Sequence, residues 1–140
     1  MAHRTAAPAL LCLALSASAI SAQSPPAVDS LALSRKWTEW LFEGKIDSLV
    51  AAHPAADRTA KTRESLTETY NTLTTRGGTE LTLVEEKFIK RNGNTQYWRA
   101  GRYSAFLREP LVLRWAVNKQ WEIIGIGLGP LSSAPPADKP

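Results

Sequence analysis

Trp98, Ala100, Arg102, Ser104 and Phe106 alternate along one segment, which sets a guanidinium among apolar side chains on a single strand face. Desolvating an unpaired charge is costly, so Arg102 needs a partner. Glu85 on the neighbouring strand can supply one, or the face of Trp115 through a cation–π contact. The alternative is a ligand. Arg102 would then hold an anionic group in a pocket lined by Trp98 and Trp115, with Trp37 or Tyr70 from the helices.

His53 is the second chemical candidate. It precedes Pro54 at a helix end, where a histidine serves as a solvated loop residue or a C-terminal cap. With Asp57 it could also make an acid/base pair. Glu64 and Glu68 lie one turn apart, as on a solvated helix face, and Glu80, Glu85 and Glu86 show no distinctive pairing. Gly125, Gly127 and Gly129 follow a strand, but no helix comes after them, so they do not form a phosphate-binding turn; they allow a close approach of packed groups. No catalytic set and no metal or cofactor motif emerges from these residues.

The start of the chain bears on compartment. Met1–Arg4 is short and basic, the run from Ala6 to Ile20 is apolar, and small residues follow at Ala17-Ser18-Ala19 and Ile20-Ser21-Ala22. This is the three-part pattern of a secretory signal, with cleavage expected near Ala22 and a secreted or periplasmic product. Cys12 is the one cysteine and lies inside the apolar run after Leu11, which does not fit a lipid-anchor signal. Once the signal is removed, disulfides, thiolate metal sites and thiol catalysis are excluded. No later stretch is long enough to span a bilayer, so no membrane association is expected after cleavage. The net charge of +4 comes from scattered basic residues rather than a stripe, which argues against nucleic-acid binding.

One domain is expected over 29–129, between a disordered leader at 23–28 and a disordered Pro-rich tail at 130–140. Asp29 or Ser30 caps a first helix carrying Leu33, Trp37, Trp40 and Leu41, and Gly44 ends it. Ile46, Leu49 and Val50 make a short second helix. Thr62 or Ser65 opens a third, with Leu66, Tyr70 and Leu73 on one stripe and Gly77-Gly78 at its end. Four strands follow: Thr79–Lys90 with a bulge near Val84, Thr95–Leu107, Leu111–Val117 and Trp121–Leu128. Asn92-Gly93 is a hairpin turn, Arg108-Glu109 a second turn and Asn118–Gln120 a third. That register sets Arg102 opposite Trp115 on the helix-facing side. Tyr97, Arg99, Tyr103 and Arg114 then fall on a mixed outer face, suited to solvent or to an interface.

This order of elements resembles the NTF2-like (cystatin-like, SnoaL-like) superfamily, and most of all its exported bacterial DUF3887-type domains. The matching parts are Leu33–Phe42 with Gly44-Lys45-Ile46-Asp47, Glu64–Thr75 with Gly77, and Leu111–Ile126. The resemblance implies an α+β cone, with about three N-terminal helices on a curved antiparallel four-stranded meander, whose open end holds a small molecule. Enzymes of that superfamily place Asp, His or Tyr in the cone, and no residue here matches one by one. The leading expectation is therefore an exported, non-catalytic domain binding a small or acidic ligand or a protein partner. The others are an isomerase or hydratase working through Tyr70, His53 or Asp57, and a homodimer joined through the sheet.

Overall fold

The computed structural model describes residues 28–140. The signal segment and most of the leader lie outside the described residues. Three helices, α1 (Ser30–Phe42), α2 (Ile46–Ala51) and α3 (Ala60–Thr72), precede four strands, β1 (Glu80–Arg91), β2 (Asn94–Tyr103), β3 (Phe106–Val117) and β4 (Ile123–Pro130). The strands form one antiparallel sheet in the order β1-β2-β3-β4. The chain is α+β, as its pattern predicts.

Local chemistry sets the helix limits. The Asp29 carboxylate accepts from the Ala32 N–H and caps α1. Thr59, not Thr62 or Ser65, caps α3, its hydroxyl accepting from the Thr62 N–H. A π turn over Leu73–Gly77 continues α3 up to Gly78. Trp37, Leu41, Leu49, Leu66 and Leu73 from the helices pack on Tyr97, Leu113, Trp115 and Val117 of the sheet. Trp37 and Trp115 meet edge to face at 6.2 Å, and the Trp115 indole N–H donates to Thr38 Oγ1 at 3.0 Å.

The first hairpin turns at Asn92 (φ 51°) and Gly93 (φ 76°), both in the left-handed region that a type I′ turn requires. The register shifts between Leu83 and Glu85, which is the bulge expected at Val84. One face of β1 consequently carries both Leu83 and Glu86, only three positions apart.

The second turn departs from expectation. It lies at Ser104-Ala105, not Arg108-Glu109, and lacks the Gly, Asn or Asp that marks a two-residue hairpin turn. The segment after α3 supplies its bonds: Ser104 N–H donates to Thr79 O, Ala105 N–H to Gly77 O, and Thr79 N–H to Ser104 Oγ. Gly78 (φ 80°) sits so close to Ser104 that a side chain there has no room. Residues 107–110 are taken up as a bulge, since Tyr103 pairs with Phe106 while Gly101 pairs with Leu111. Tyr97 therefore stands opposite Trp115, and Arg99 opposite Leu113. Sliding a strand by one residue exchanges its faces. Tyr97, Arg99 and Tyr103 face the helices; Trp98, Ala100 and Arg102 do not.

On the outer face Trp98, Ala100 and Val112 form a second small core, with Ile89 and Ala134 against it. Ala134 belongs to the segment read as a free tail. Its neighbours bind back to the first hairpin: Asp138 accepts from the N–H groups of Asn92 (2.8 Å) and Gly93 (3.0 Å), and Arg91 donates to Pro136 O. Those two amides hold the Asp138 carboxyl below its usual range.

Candidate functional site

Two polar regions stand out, and they differ in how far their hydrogen bonding is used up. The first lies between α1 and the sheet. Glu80 accepts from Arg99 Nη2 at 2.6 Å and Nε at 2.9 Å, and from the Tyr103 hydroxyl at 3.2 Å. Gly101 makes room for this carboxylate, which lies where its side chain would be. Glu86 accepts from Arg35 Nε at 2.8 Å and Nη2 at 2.6 Å, and from the Tyr97 hydroxyl at 2.6 Å. Arg99 links the halves, donating to the Tyr97 oxygen at 3.5 Å. The side chains of Arg99 and Glu80 are 16% and 13% exposed, so these are substantially desolvated charges.

The titration of this network follows from its bonds. Hydrogen bonds from Arg35 and then Tyr97 hold the Glu86 carboxyl down at about 2, against the opposing effect of its burial. Burial and the hydrogen bond to Glu86 push the Tyr97 hydroxyl up to about 12. Burial, then the Glu80 charge, raises Tyr103 as well, and the bond to Glu80 raises Arg99. Each carboxylate receives three donors, so neither is a ready proton acceptor for a substrate.

The second region is a cleft of about 410 Å³ where α2, the start of α3 and the β4 edge meet. His53 lines it and is only 5% exposed. Its Nδ1 lies 2.8 Å from Leu49 O. A carbonyl cannot donate, so Nδ1 carries a proton, and in the neutral imidazole Nε2 then presents a lone pair. Nε2 has no hydrogen-bond partner among the described residues. Arg58 Nε donates to the His53 backbone carbonyl at 3.0 Å, which fixes the main chain at this residue. Asp57, Lys61 and the hydroxyl residues Thr59, Thr62 and Ser65 share the lining, with Leu66 and Ile124–Ile126 as its apolar wall. Among the described residues no group of three His, Cys, Asp or Glu is placed to hold a metal ion.

The five residues expected to line a Trp pocket are not brought together. Arg102 is exposed on the outer face, and its neighbour across the strands is Thr82 rather than Trp115. Trp98 is buried on that same outer face, under Ala134 and beside Lys87. Trp37 and Trp115 fill the core, and the Tyr70 ring lies against Gly44, outside the His53 cleft. The buried, carboxylate-paired arginine does exist, but it is Arg99 with Glu80 and Glu86. His53 caps α2 as expected and is buried rather than solvated, and Asp57 does share its cleft. Sequence reasoning missed Lys61, Thr59, Thr62 and Ser65, whose common trait is their place in the first turns of α3. No helix among the described residues is long and apolar enough to cross a membrane.

No family model, curated protein or solved structure matches the chain. Its function therefore has to be argued from the chemistry of these two regions.

Proposed function

We propose that this chain is an exported, non-catalytic NTF2-like domain that binds a small acidic ligand in the cleft at His53. Three helices followed by a four-stranded antiparallel meander support the NTF2-like reading, and the basic, apolar and small-residue order of positions 1–22 supports export. The observation that carries the binding assignment is His53 itself. It is a buried imidazole fixed through Nδ1, with Nε2 unpartnered among the described residues in a cleft of ligand size.

The lining narrows the ligand. Lys61, in the first turn of α3, favours one anionic group. His53 Nε2 and the Asp57 carboxylate are acceptors and ask for O–H or N–H donors. A hydroxy or amino acid of a few carbon atoms supplies both. Native mass spectrometry of the mature protein, purified gently from the exported fraction of its host, tests this. The expected result is a bound mass carrying an acid group, lost in His53→Phe. A bare mass in the wild type, or a ligand retained in His53→Phe, overturns the assignment.

A second reading is favoured by His53 and Asp57 lining one cleft, which is the arrangement of a general base beside an acid. In that case the domain is an isomerase or hydratase. The bound acid would then exchange its α-proton with deuterated solvent, and His53→Gln would stop the exchange.

A further inference from the structure

The outer sheet face holds a cation with nothing to pair with. Arg114 on β3 is half-buried there and makes no hydrogen bond or ion pair with any described residue. Burial, and then the like charge of Arg91, holds its guanidinium below the usual range. Its neighbour on β4 is Gly127, and a Cβ at that position would fall on the guanidinium. Gly125 and Gly127 thus leave β4 bare beneath this face, and a cavity of about 140 Å³ opens between Gln96, Arg114, Ala116 and that bare backbone.

Two further polar groups here are unmet. Gln96 Oε1 and Trp98 Nε1 are both buried without a partner. Trp98 stands directly opposite Arg114, and Gln96 opposite Ala116. Buried polar groups normally have partners, and a buried charge normally has a counter-charge. The chain's own acids on this side are engaged elsewhere: Glu85 with Lys87 at 2.9 Å, Asp138 with the hairpin amides, and Glu109 with the Ser132 amide and hydroxyl.

We propose that this pocket binds the carboxylate of a small organic acid, held by the planar fork of Arg114, with an adjacent O–H or N–H of the ligand donating to Gln96. A carboxylate matches the fork in shape and balances the one cation of the lining. Arg91, the second cation nearby, is bonded to Pro136 O and does not line the pocket, so a phosphate dianion would bring more charge than the lining meets. The site is separate from the His53 cleft: the two lie on opposite sides of the β4 edge and share only Gly125 and Ile126.

The test is an NMR titration of ¹⁵N-labelled protein with sodium acetate, and in parallel with sodium chloride and sodium phosphate at matched ionic strength. The signals to follow are the Arg114 Nε–H, the Trp98 indole N–H and the amide of Gly127, which does not line the His53 cleft. Acetate should shift them saturably in the millimolar range, and chloride should not. Arg114→Gln should abolish saturation. Arg114→Lys, which keeps the charge and loses the fork, should weaken binding about tenfold, the loss of one charge-assisted hydrogen bond. Equal responses to acetate and chloride, or tighter saturation by phosphate, overturn the carboxylate assignment.

Discussion

The two polar regions on the helix side each combine acidic, basic and hydroxyl groups and reach opposite ends. Between α1 and the sheet, two carboxylates, two guanidiniums and two phenols bind only one another, and each carboxylate takes three donors. At the start of α3 an imidazole is fixed through one nitrogen and left open at the other. Strong titration shifts belong to the closed region. There a perturbed pKa marks a group whose hydrogen bonds are spent on its neighbours, which leaves it unavailable for anything else. Function is better sought where bonding capacity remains.

Three measurements would break or sharpen that contrast. The largest effect is expected for Arg99→Met, which leaves Glu80 as a desolvated carboxylate with only Tyr103 to serve it. Denaturant unfolding should show a loss of roughly 3 kcal/mol, the lower end for buried pairs because both groups keep some solvent contact. Adding Glu80→Leu should restore much of this, since an apolar pair has no charge to orphan. If Arg99→Met costs nothing, the region is not a closed structural network.

The pH dependence comes next. Glu86 is held below its unfolded value, so the stability it contributes is present above the unfolded value of 4.5 and is lost as pH falls toward about 2. Tyr97 is raised, so its contribution is present below its unfolded value of 10.0 and is lost as pH climbs to about 12. Thermal melts across pH should therefore weaken on both limbs. Glu86→Gln should flatten the acid limb. An unchanged acid limb in that variant would assign it to other carboxylates.

The smallest stability effect is expected at the open site. His53→Gln removes one cap on the Leu49 carbonyl and should cost about 1 kcal/mol or less, while ligand binding is lost. A loss of several kcal/mol would mean that His53 is held for packing, and the contrast between the regions would fail.

Much of the architecture was legible because local signals were strong. Asp29, Gly44 and the Leu66/Leu73 stripe place the helices, Asn92-Gly93 places the first hairpin, and the broken alternation of Leu81, Leu83, Val84 and Phe88 places the bulge. The second turn was not legible, because Ser104-Ala105 lacks the Gly, Asn or Asp of a two-residue hairpin turn and owes its bonds to Gly77–Thr79, far away in sequence. Arg108-Glu109, the turn expected instead, lies within a bulge. A turn placed four positions late, with the bulge unseen, then put Arg102 where Arg99 belongs. The physical requirement for a paired arginine was sound; the register carried it to the wrong residue. The His53 cleft was only half visible, because closeness between α3's first turn and β4 has no local signature.

That borrowed second turn also bears on the order of folding. The first hairpin carries its own instruction at Asn92-Gly93 and can close in microseconds. Zipping from there ends at the pair Glu80–Tyr103, which delivers Ser104 to Gly78. Only then is there a template on which β3 can reverse. The early hairpin thus shortens the loop that remains to be closed, and the entropy of that closure falls with it. Gly93→Ala, strained by about 1 kcal/mol at a positive φ, should express most of that loss as slower folding, whereas Leu128→Ala on β4 should mainly hasten unfolding. Equal kinetic signatures for the two would mean that the sheet condenses in one step, without a leading hairpin.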